Sequence, residues 1–152
     1  MIWNNAPKFI PVDQQQAKKV TPEQLAKSGS EDGHQMAVFA WAADNVDKYP
    51  QLEYLFAIPN GGQRHIAEAT KFVATGLRKG VPDIFLPFGI NNAHGLFIEM
   101  KIEKKRNTKD GGLSKEQLDW IPALKQAGYA VAVCYSWIEA RDCIINYLEG
   151  KL

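Results

Sequence analysis

Apolar residues follow two different patterns along this chain of 152 residues, and each pattern predicts its own kind of element. Apolar positions three and four residues apart, together with capping residues, predict helices at about 22–29, 31–48, 64–75, 115–127 and 137–149. Short apolar runs between turn residues predict strands at 52–58, 83–86, 96–102 and 129–135. Turn residues throughout 87–95 indicate that the second and third strands form an antiparallel hairpin with a long loop.

The order of these elements indicates the fold class. After the short first helix come helix, strand, helix, strand, strand, helix, strand and helix, which predicts an α/β protein with a mixed β-sheet flanked by helices on both faces. A hydrophobic content of 45% is sufficient for one domain with its own core. Residues 1–29, which include three consecutive glutamines, are interpreted as an N-terminal arm with a short helix, followed by a folded domain at 30–152.

Charge and composition narrow the function classes only a little. A net charge of +1 does not by itself indicate a nucleic-acid partner, although basic residues are concentrated near 64–79 and 101–109. Cys134 and Cys143 lack a zinc-binding spacing, so we interpret them as reduced thiols. The chain has no apolar segment near the ~20 residues of a membrane span and no signal-peptide core, so we expect an intracellular, cytoplasmic protein.

Three charged residues around the predicted hairpin carry the candidate chemistry. Asp83 follows Pro82 at the start of one strand, and Glu99 and Lys101 lie on the next. Residues two apart on a strand point to the same side of a sheet, so the Glu99 carboxylate and the Lys101 amine are predicted neighbours, near the Asp83 carboxylate. Two carboxylates can hold Mg²⁺, and a lysine can stabilise charge on a phosphate, which together favour phosphodiester hydrolysis.

Each of these residues also has an ordinary structural interpretation. Pro-Asp is a common turn dipeptide, and Glu99 with Lys101 could be a solvated ion pair on an edge strand. Glu31 lies in the first turn of a predicted helix, where the helix dipole alone favours an acid. Gln117 stands three residues after Ser114 and could simply complete a capping box.

Further residues are candidates for contacts with phosphate groups. The turn Asn60-Gly61-Gly62 with Arg64 offers backbone amides and a guanidinium, and Lys104 and Lys105 follow the Glu-x-Lys strand. Groups of this kind bind the nucleic-acid backbone without reading its sequence.

The ordered set of motifs resembles the VRR-NUC domain, a branch of the PD-(D/E)XK nuclease superfamily. The resemblance covers roughly 30–149 and rests on these pieces in this order: Ser30-Glu31 with Gln35, Pro59-Asn60-Gly61-Gly62 with Arg64, Gly80-Val81-Pro82-Asp83, Ile98-Glu99-Met100-Lys101, Leu113-Ser114 with Gln117, and Gly128-Tyr129. It implies a restriction-endonuclease-like fold and a metal-dependent DNA endonuclease with Mg²⁺, for which Mn²⁺ can substitute. The implied metal ligands are Asp83, Glu99, Glu31 and the backbone carbonyl of Met100, with Lys101 as the catalytic lysine and Gln117 as a supporting residue.

The same resemblance implies partners. The chain is similar to the standalone, single-domain type of this family, which suggests a homodimer that cuts branched DNA such as four-way (Holliday) junctions in DNA repair. Three alternatives remain open from the sequence: a sequence-specific restriction-type nuclease, a non-catalytic DNA-binding module of the same fold, and a small interaction protein whose charges form surface ion pairs.

Overall fold

A mixed sheet of four strands organises the fold. The computed structural model describes residues 19–59 and 66–152. The strands are β1 (Phe56–Ala57), β2 (Ile84–Leu86), β3 (Leu96–Met100) and β4 (Ala130–Cys134). They lie side by side in chain order, with β1–β2 and β2–β3 antiparallel and β3–β4 parallel. The predicted hairpin of β2 and β3 is confirmed, with Ile84 opposite Ile98.

The described residues form five α-helices: α1 (Pro22–Ala26), α2 (Glu31–Asp44), α3 (Ile66–Ala74), α4 (Lys115–Gln126) and α5 (Trp137–Leu148). Four of these helices have a serine or threonine at the N-cap. Its hydroxyl accepts a hydrogen bond from a backbone N–H that would otherwise be unpaired, which stabilises the start of the helix. Thr21 and Ser114 belong to complete capping boxes with Gln24 and Gln117, as the sequence predicts.

The first predicted strand, 52–58, is mostly wrong. Residues Pro50–Tyr54 form a 3₁₀ helix, and only Phe56–Ala57 pair as a strand. Proline suits the first turn of a helix, and the buried Leu52 and Leu55 are three residues apart, which is the period of a 3₁₀ helix. The tertiary packing of these leucines therefore overrides the β propensity of the run.

Three other predicted elements end two or more residues earlier than expected, and the first of them, α1, stops at Ala26 rather than 29. Helix α2 stops at Asp44 rather than 48, where the Asn45 side chain donates a hydrogen bond to the Trp41 carbonyl at 2.8 Å and closes the last turn. Strand β3 stops at Met100 rather than 102, because the chain enters a short 3₁₀ helix, Glu103–Lys105.

The two faces of the sheet have different contents. One face carries the fully buried Ile84, Leu86, Leu96, Ile98 and Met100, which form the main core with α2 and α5. On the other face Phe85 and Phe97 stack with ring centroids 4.2 Å apart. Helix α4 also approaches that second face, because Gln117 contacts Glu99. The fold is thus α/β and consistent with the restriction-endonuclease-like class.

Helix α1 is not detached from the rest. It packs on α2, and its Leu25 and Ala26 lie against the main core. The division of the chain into 1–29 and 30–152 stays a prediction, and residues 1–18 lie outside the described part. None of the helices within 19–59 and 66–152 combines the length and apolar character needed to cross a bilayer.

Candidate active site

Hydrogen bonds from the two neighbouring strand segments hold Asp83 at the start of β2. Its backbone carbonyl accepts from the Ile58 N–H at 2.7 Å, which extends the pairing with β1. Its carboxylate oxygen Oδ2 accepts from the Met100 N–H on β3, also at 2.7 Å. The antiparallel register that sets Ile84 opposite Ile98 brings Asp83 beside Glu99.

Glu99 and Lys101 are buried charges on one side of β3. Their exposed fractions are 1% and 6%, and the Lys101 Nζ lies 2.8 Å from Glu99 Oε1. The Lys101 N–H still donates to the Cys134 carbonyl on β4, so this lysine is fixed beside the sheet. Burying charges costs free energy even when they are paired. The solvated edge-strand ion pair considered from the sequence therefore does not describe this pair.

The Glu99 carboxylate has one satisfied and one unsatisfied oxygen. Oε1 accepts from both Lys101 and the Gln117 side chain. Oε2 is buried without a hydrogen-bond partner among the residues that the structure describes. An unpaired buried acceptor is rare in proteins, and it marks Oε2 as a position for a ligand.

The electrostatic surroundings raise the pKa values of both Glu99 and Lys101. Burial and the negative charge of Asp83 raise the pKa of Glu99 to about 7, although Lys101 acts in the opposite direction. Burial lowers the pKa of Lys101, but its bond to Glu99 and the nearby carboxylates outweigh this effect and leave that pKa raised. Perturbed groups of this kind are typical of functional sites.

Glu31 approaches the same pair from the start of α2. Its negative charge contributes to raising the pKa of both Glu99 and Lys101. Its Oε1 also lies 3.4 Å from the Nζ of Lys105. The position in the first helical turn agrees with the dipole interpretation, and the charge is in addition close to the candidate site.

Gln117 completes the predicted capping box and also contacts Glu99. Its side-chain Oε1 accepts from the Ser114 N–H at 2.8 Å, and its own N–H donates to the Ser114 hydroxyl at 3.2 Å, which completes the capping box. Its amide nitrogen donates to Glu99. The cap of α4 therefore also orients a buried carboxylate.

The remaining candidates are distributed unevenly. The Met100 side chain points into the main core, away from Glu99, while its N–H binds Asp83. Lys104 is exposed, and Lys105 is half-buried and turned toward Glu31. The turn candidates Asn60, Gly61, Gly62 and Arg64 lie outside the described residues.

The sequence did not predict the contacts of Arg106 or the close approach of Gly80 to α4. Arg106 binds both Glu103 and Glu139 and lies over the Tyr135 ring, with its guanidinium carbon 4.3 Å from the ring centroid. Gly80 has φ +86° and lies so close to α4 that an added Cβ would be 2.5 Å from the Glu116 carbonyl carbon. No local pattern reveals the Arg106–Glu139 pair, whereas a glycine before Val-Pro-Asp was a signal that the turn needs an unusual backbone.

The donor chemistry fits a hard divalent cation. Asp83, Glu99 and Glu31 offer carboxylate oxygens, the ligands that Mg²⁺ prefers, and Glu99 Oε2 is a buried acceptor in need of a partner. Within 19–59 and 66–152, however, no three acidic, histidine or cysteine side chains are grouped as a complete ligand set. The carboxylates of Asp83 and Glu31 bind Met100 and Lys105 instead. The residues thus fit the cation by chemistry, and a full ligand set requires these bonds to rearrange.

Comparison with known proteins agrees with this arrangement. The VRR-NUC domain model matches residues 14–137, which include α1 and all four strands. A solved structure described as a VRR_NUC domain protein is similar with a TM-score of 0.64 and 25% sequence identity, over 79% of this chain and 88% of that one. No curated protein matches the sequence. The match over most of its length shows that the chain belongs to the VRR-NUC domain family, whose function is of the nuclease type.

Proposed function

We propose that the protein is a Mg²⁺-dependent DNA endonuclease, with Mn²⁺ as a possible substitute, that acts on branched DNA such as four-way junctions. The observation that carries the proposal is the buried Glu99, whose Oε2 has no partner among the described residues and which lies beside Lys101 and Asp83. A nuclease-type domain acting on DNA follows from the family, whereas the metal and the branched substrate are specific to this proposal.

The carboxylates would hold the cation. Glu99 through Oε2, Asp83, Glu31 and the backbone carbonyl of Met100 are the proposed ligands. When bound, the cation would supply acidification of a water molecule and neutralisation of charge on the phosphate. Asp83 accepts a hydrogen bond from the Met100 N–H on β3, which places its carboxylate beside Glu99 before any cation binds.

Lys101 is the proposed catalytic lysine. An ammonium group has three N–H donors, and Glu99 Oε1 accepts one of them at 2.8 Å. The others can donate to a non-bridging oxygen of the scissile phosphate and stabilise the charge that develops there. Gln117 binds the same Oε1 and keeps the carboxylate oriented, so it acts as a positioning residue.

Contacts with neighbouring phosphates are assigned to basic and backbone groups. Lys104 and Lys105 lie in the short 3₁₀ helix that follows β3, and Lys105 contacts Glu31. Asn60, Gly61, Gly62 and Arg64 are proposed for the same task from their residue types. Because the net charge is only +1, these local groups must supply the attraction to DNA.

A homodimer and a role in DNA repair complete the proposal. Two copies related by a two-fold axis would place two sites on two strands, which is the geometry that resolution of a Holliday junction requires. This part is supported by the resemblance to single-domain members of the family.

The deciding experiment is cleavage of a labelled four-way junction and a linear duplex in Mg²⁺, Mn²⁺ or EDTA. We expect wild type to cut the junction only with a divalent cation, and Lys101→Ala to bind it but lose at least about 10²-fold in rate, as for other charge-stabilising residues. Lys125→Ala, which removes an exposed lysine on α4, is the control and should cut normally.

Other outcomes separate the alternatives. Cleavage of the linear duplex alone at defined sites would favour a restriction-type nuclease and reject the branched substrate. Binding without cleavage in any metal would favour a non-catalytic DNA-binding module. Equal loss of binding and cleavage in Lys101→Ala would assign this lysine to binding rather than to the transition state.

A further inference from the structure

Lys105 is directed toward a proposed metal ligand rather than toward solvent. Its Nζ lies 3.4 Å from Glu31 Oε1, and the two side chains keep exposed fractions of 42% and 38%. An ion pair with this much solvent access is weak, so another cation can replace either partner.

The direction of Lys105 is fixed by the loop that follows it. Gly112 has φ +79°, and an added Cβ there would lie 2.7 Å from both Cβ and Cδ of Lys105. The lysine stem therefore packs on the Gly112 backbone. The Lys105 carbonyl also accepts bonds from the Thr108 N–H at 3.1 Å and the Thr108 hydroxyl at 2.7 Å.

The loop is in turn attached to the folded body through Arg106. Its guanidinium donates to Glu103 at 2.7 and 2.8 Å and also to Glu139 of α5. Glu139 accepts from the Tyr135 N–H, and the Tyr135 hydroxyl donates to the Gly111 carbonyl, both at 3.0 Å. Arg106 is thus occupied in holding the loop, and of the two neighbouring lysines Lys105 faces Glu31.

The adjacent lysine has a different environment. Lys104 is exposed and forms no ion pair within 19–59 and 66–152, although it carries the same charge one residue away. The sequence predicts phosphate contacts for both lysines, but in the structure only Lys105 contacts Glu31.

We propose that Lys105 is the internal counter-ion of Glu31, which competes with the divalent cation for that carboxylate and moves to a DNA phosphate when the cation binds. The proposal rests on the proposed metal site. A divalent cation attracts a carboxylate more strongly than an ammonium does at the same distance, so it can take the place of Lys105. Because the stem stays packed on Gly112, the released ammonium remains beside the site and within reach of a phosphate.

The test is calorimetric titration of the DNA-free protein with Mn²⁺, using Lys105→Gln and Lys104→Gln. Both variants lose one positive charge. Lys104→Gln therefore controls for the effect of the charge of the loop as a whole on Mn²⁺ binding. We expect Lys105→Gln to bind Mn²⁺ about three- to fivefold more tightly than wild type, because it lacks the competing partner. Lys104→Gln should stay within about twofold.

A second readout follows the released lysine. Affinity for a labelled junction is measured by fluorescence anisotropy in EDTA and in Ca²⁺. Lys105→Gln should bind more weakly than wild type mainly in Ca²⁺, whereas Lys104→Gln should be weakened equally in both. The same variant would thus strengthen metal binding and weaken metal-dependent DNA binding.

Each contrary result has a distinct meaning. Mn²⁺ binding by wild type with identical affinities for the two variants would overturn the counter-ion role and leave the metal site intact. Absence of Mn²⁺ binding by wild type would overturn the proposed metal dependence and, with it, this inference. Weaker Mn²⁺ binding by Lys105→Gln would also contradict the competition.

Discussion

Glu99 is the residue whose surroundings most need an explanation. Its side chain is 1% exposed, and it is ionised only at the cost of losing its hydration. A hydrophobic residue of similar size would serve the fold at least as well as a buried ion pair does. The cost of this carboxylate is understandable if a cation binds there, and it should be measurable in the protein without metal.

The stability of the metal-free protein should therefore fall as the pH rises. The raised pKa means that folded Glu99 keeps its proton up to about pH 7, whereas the unfolded chain releases it near 4.5. Between these values the folded state binds more protons, so the free energy of unfolding decreases with pH, by up to about 3 kcal/mol, and the loss is complete above the folded pKa. Urea unfolding in EDTA from pH 4 to pH 8 measures this change.

The assignment to Glu99 can be checked with two neutral substitutions. Glu99→Gln should flatten the pH dependence over this window, and the exposed Glu53→Gln should leave it as in wild type. An equally steep decrease in Glu99→Gln would show that another group is responsible.

At the scale of elements, α4 is placed by contacts that also build the candidate site. Gly80 touches the α4 backbone at Glu116, and the same loop leads to Asp83. Gln117, one residue further along α4, reaches Glu99. Helix α4, which connects β3 to β4, thus packs on the loop that leads to Asp83 and also orients Glu99.

The two capping boxes allow these tasks of Gln117 to be separated. Gln24 caps α1 in the same way but contacts no site residue within the described part of the chain. Gln24→Ala should cost about 1 kcal/mol of stability, the value of one hydrogen bond, whereas Gln117→Ala should cost about 2–3 kcal/mol because its bond to a buried carboxylate is also removed.

Cleavage rates of Gln117→Ala and Gln24→Ala complement the comparison of their stabilities. Gln117→Ala should lower the single-turnover rate by about tenfold or more through misplacement of Glu99, and Gln24→Ala should leave the rate unchanged. Equal stability losses with unchanged rates in both variants would reduce Gln117 to a helix cap.

At the scale of the whole molecule, charge distribution matters more than net charge. A total of +1 gives no general attraction to DNA, so binding must depend on a few local lysines. In Ca²⁺, the double variant Lys104→Gln with Lys105→Gln should reduce the slope of log affinity against log salt by about 0.9 for each phosphate that is no longer neutralised, or about 2 in total.

Anisotropy titrations at several salt concentrations measure this slope. Lys125→Gln together with Lys151→Gln removes the same charge from other surfaces and should leave the slope unchanged. An unaltered slope in the loop variant would remove the loop from the DNA interface.

Sequence alone predicts what depends on near neighbours along the chain. The Ser114 and Gln117 cap and the pairing of Glu99 with Lys101 follow from spacings of three and two residues. The Arg106–Glu139 bond joins residues 33 apart and has no local signal. The difference between Lys104 and Lys105 likewise depends on where a later glycine turn packs, so the sequence could not assign it.

Strand β3 pairs with β2, which precedes it in the chain, and with β4, which is translated about 30 residues later. Lys101 depends on the Cys134 carbonyl of β4, and the Tyr147 hydroxyl of α5 donates to the Phe88 carbonyl in the hairpin loop at 2.7 Å. A chain leaves the ribosome from its N-terminal end, so Glu99 and Lys101 emerge before Gln117 and Cys134, which bind them. If the protein is the proposed nuclease, the nascent chain acquires an ordered site only after β4 has been translated.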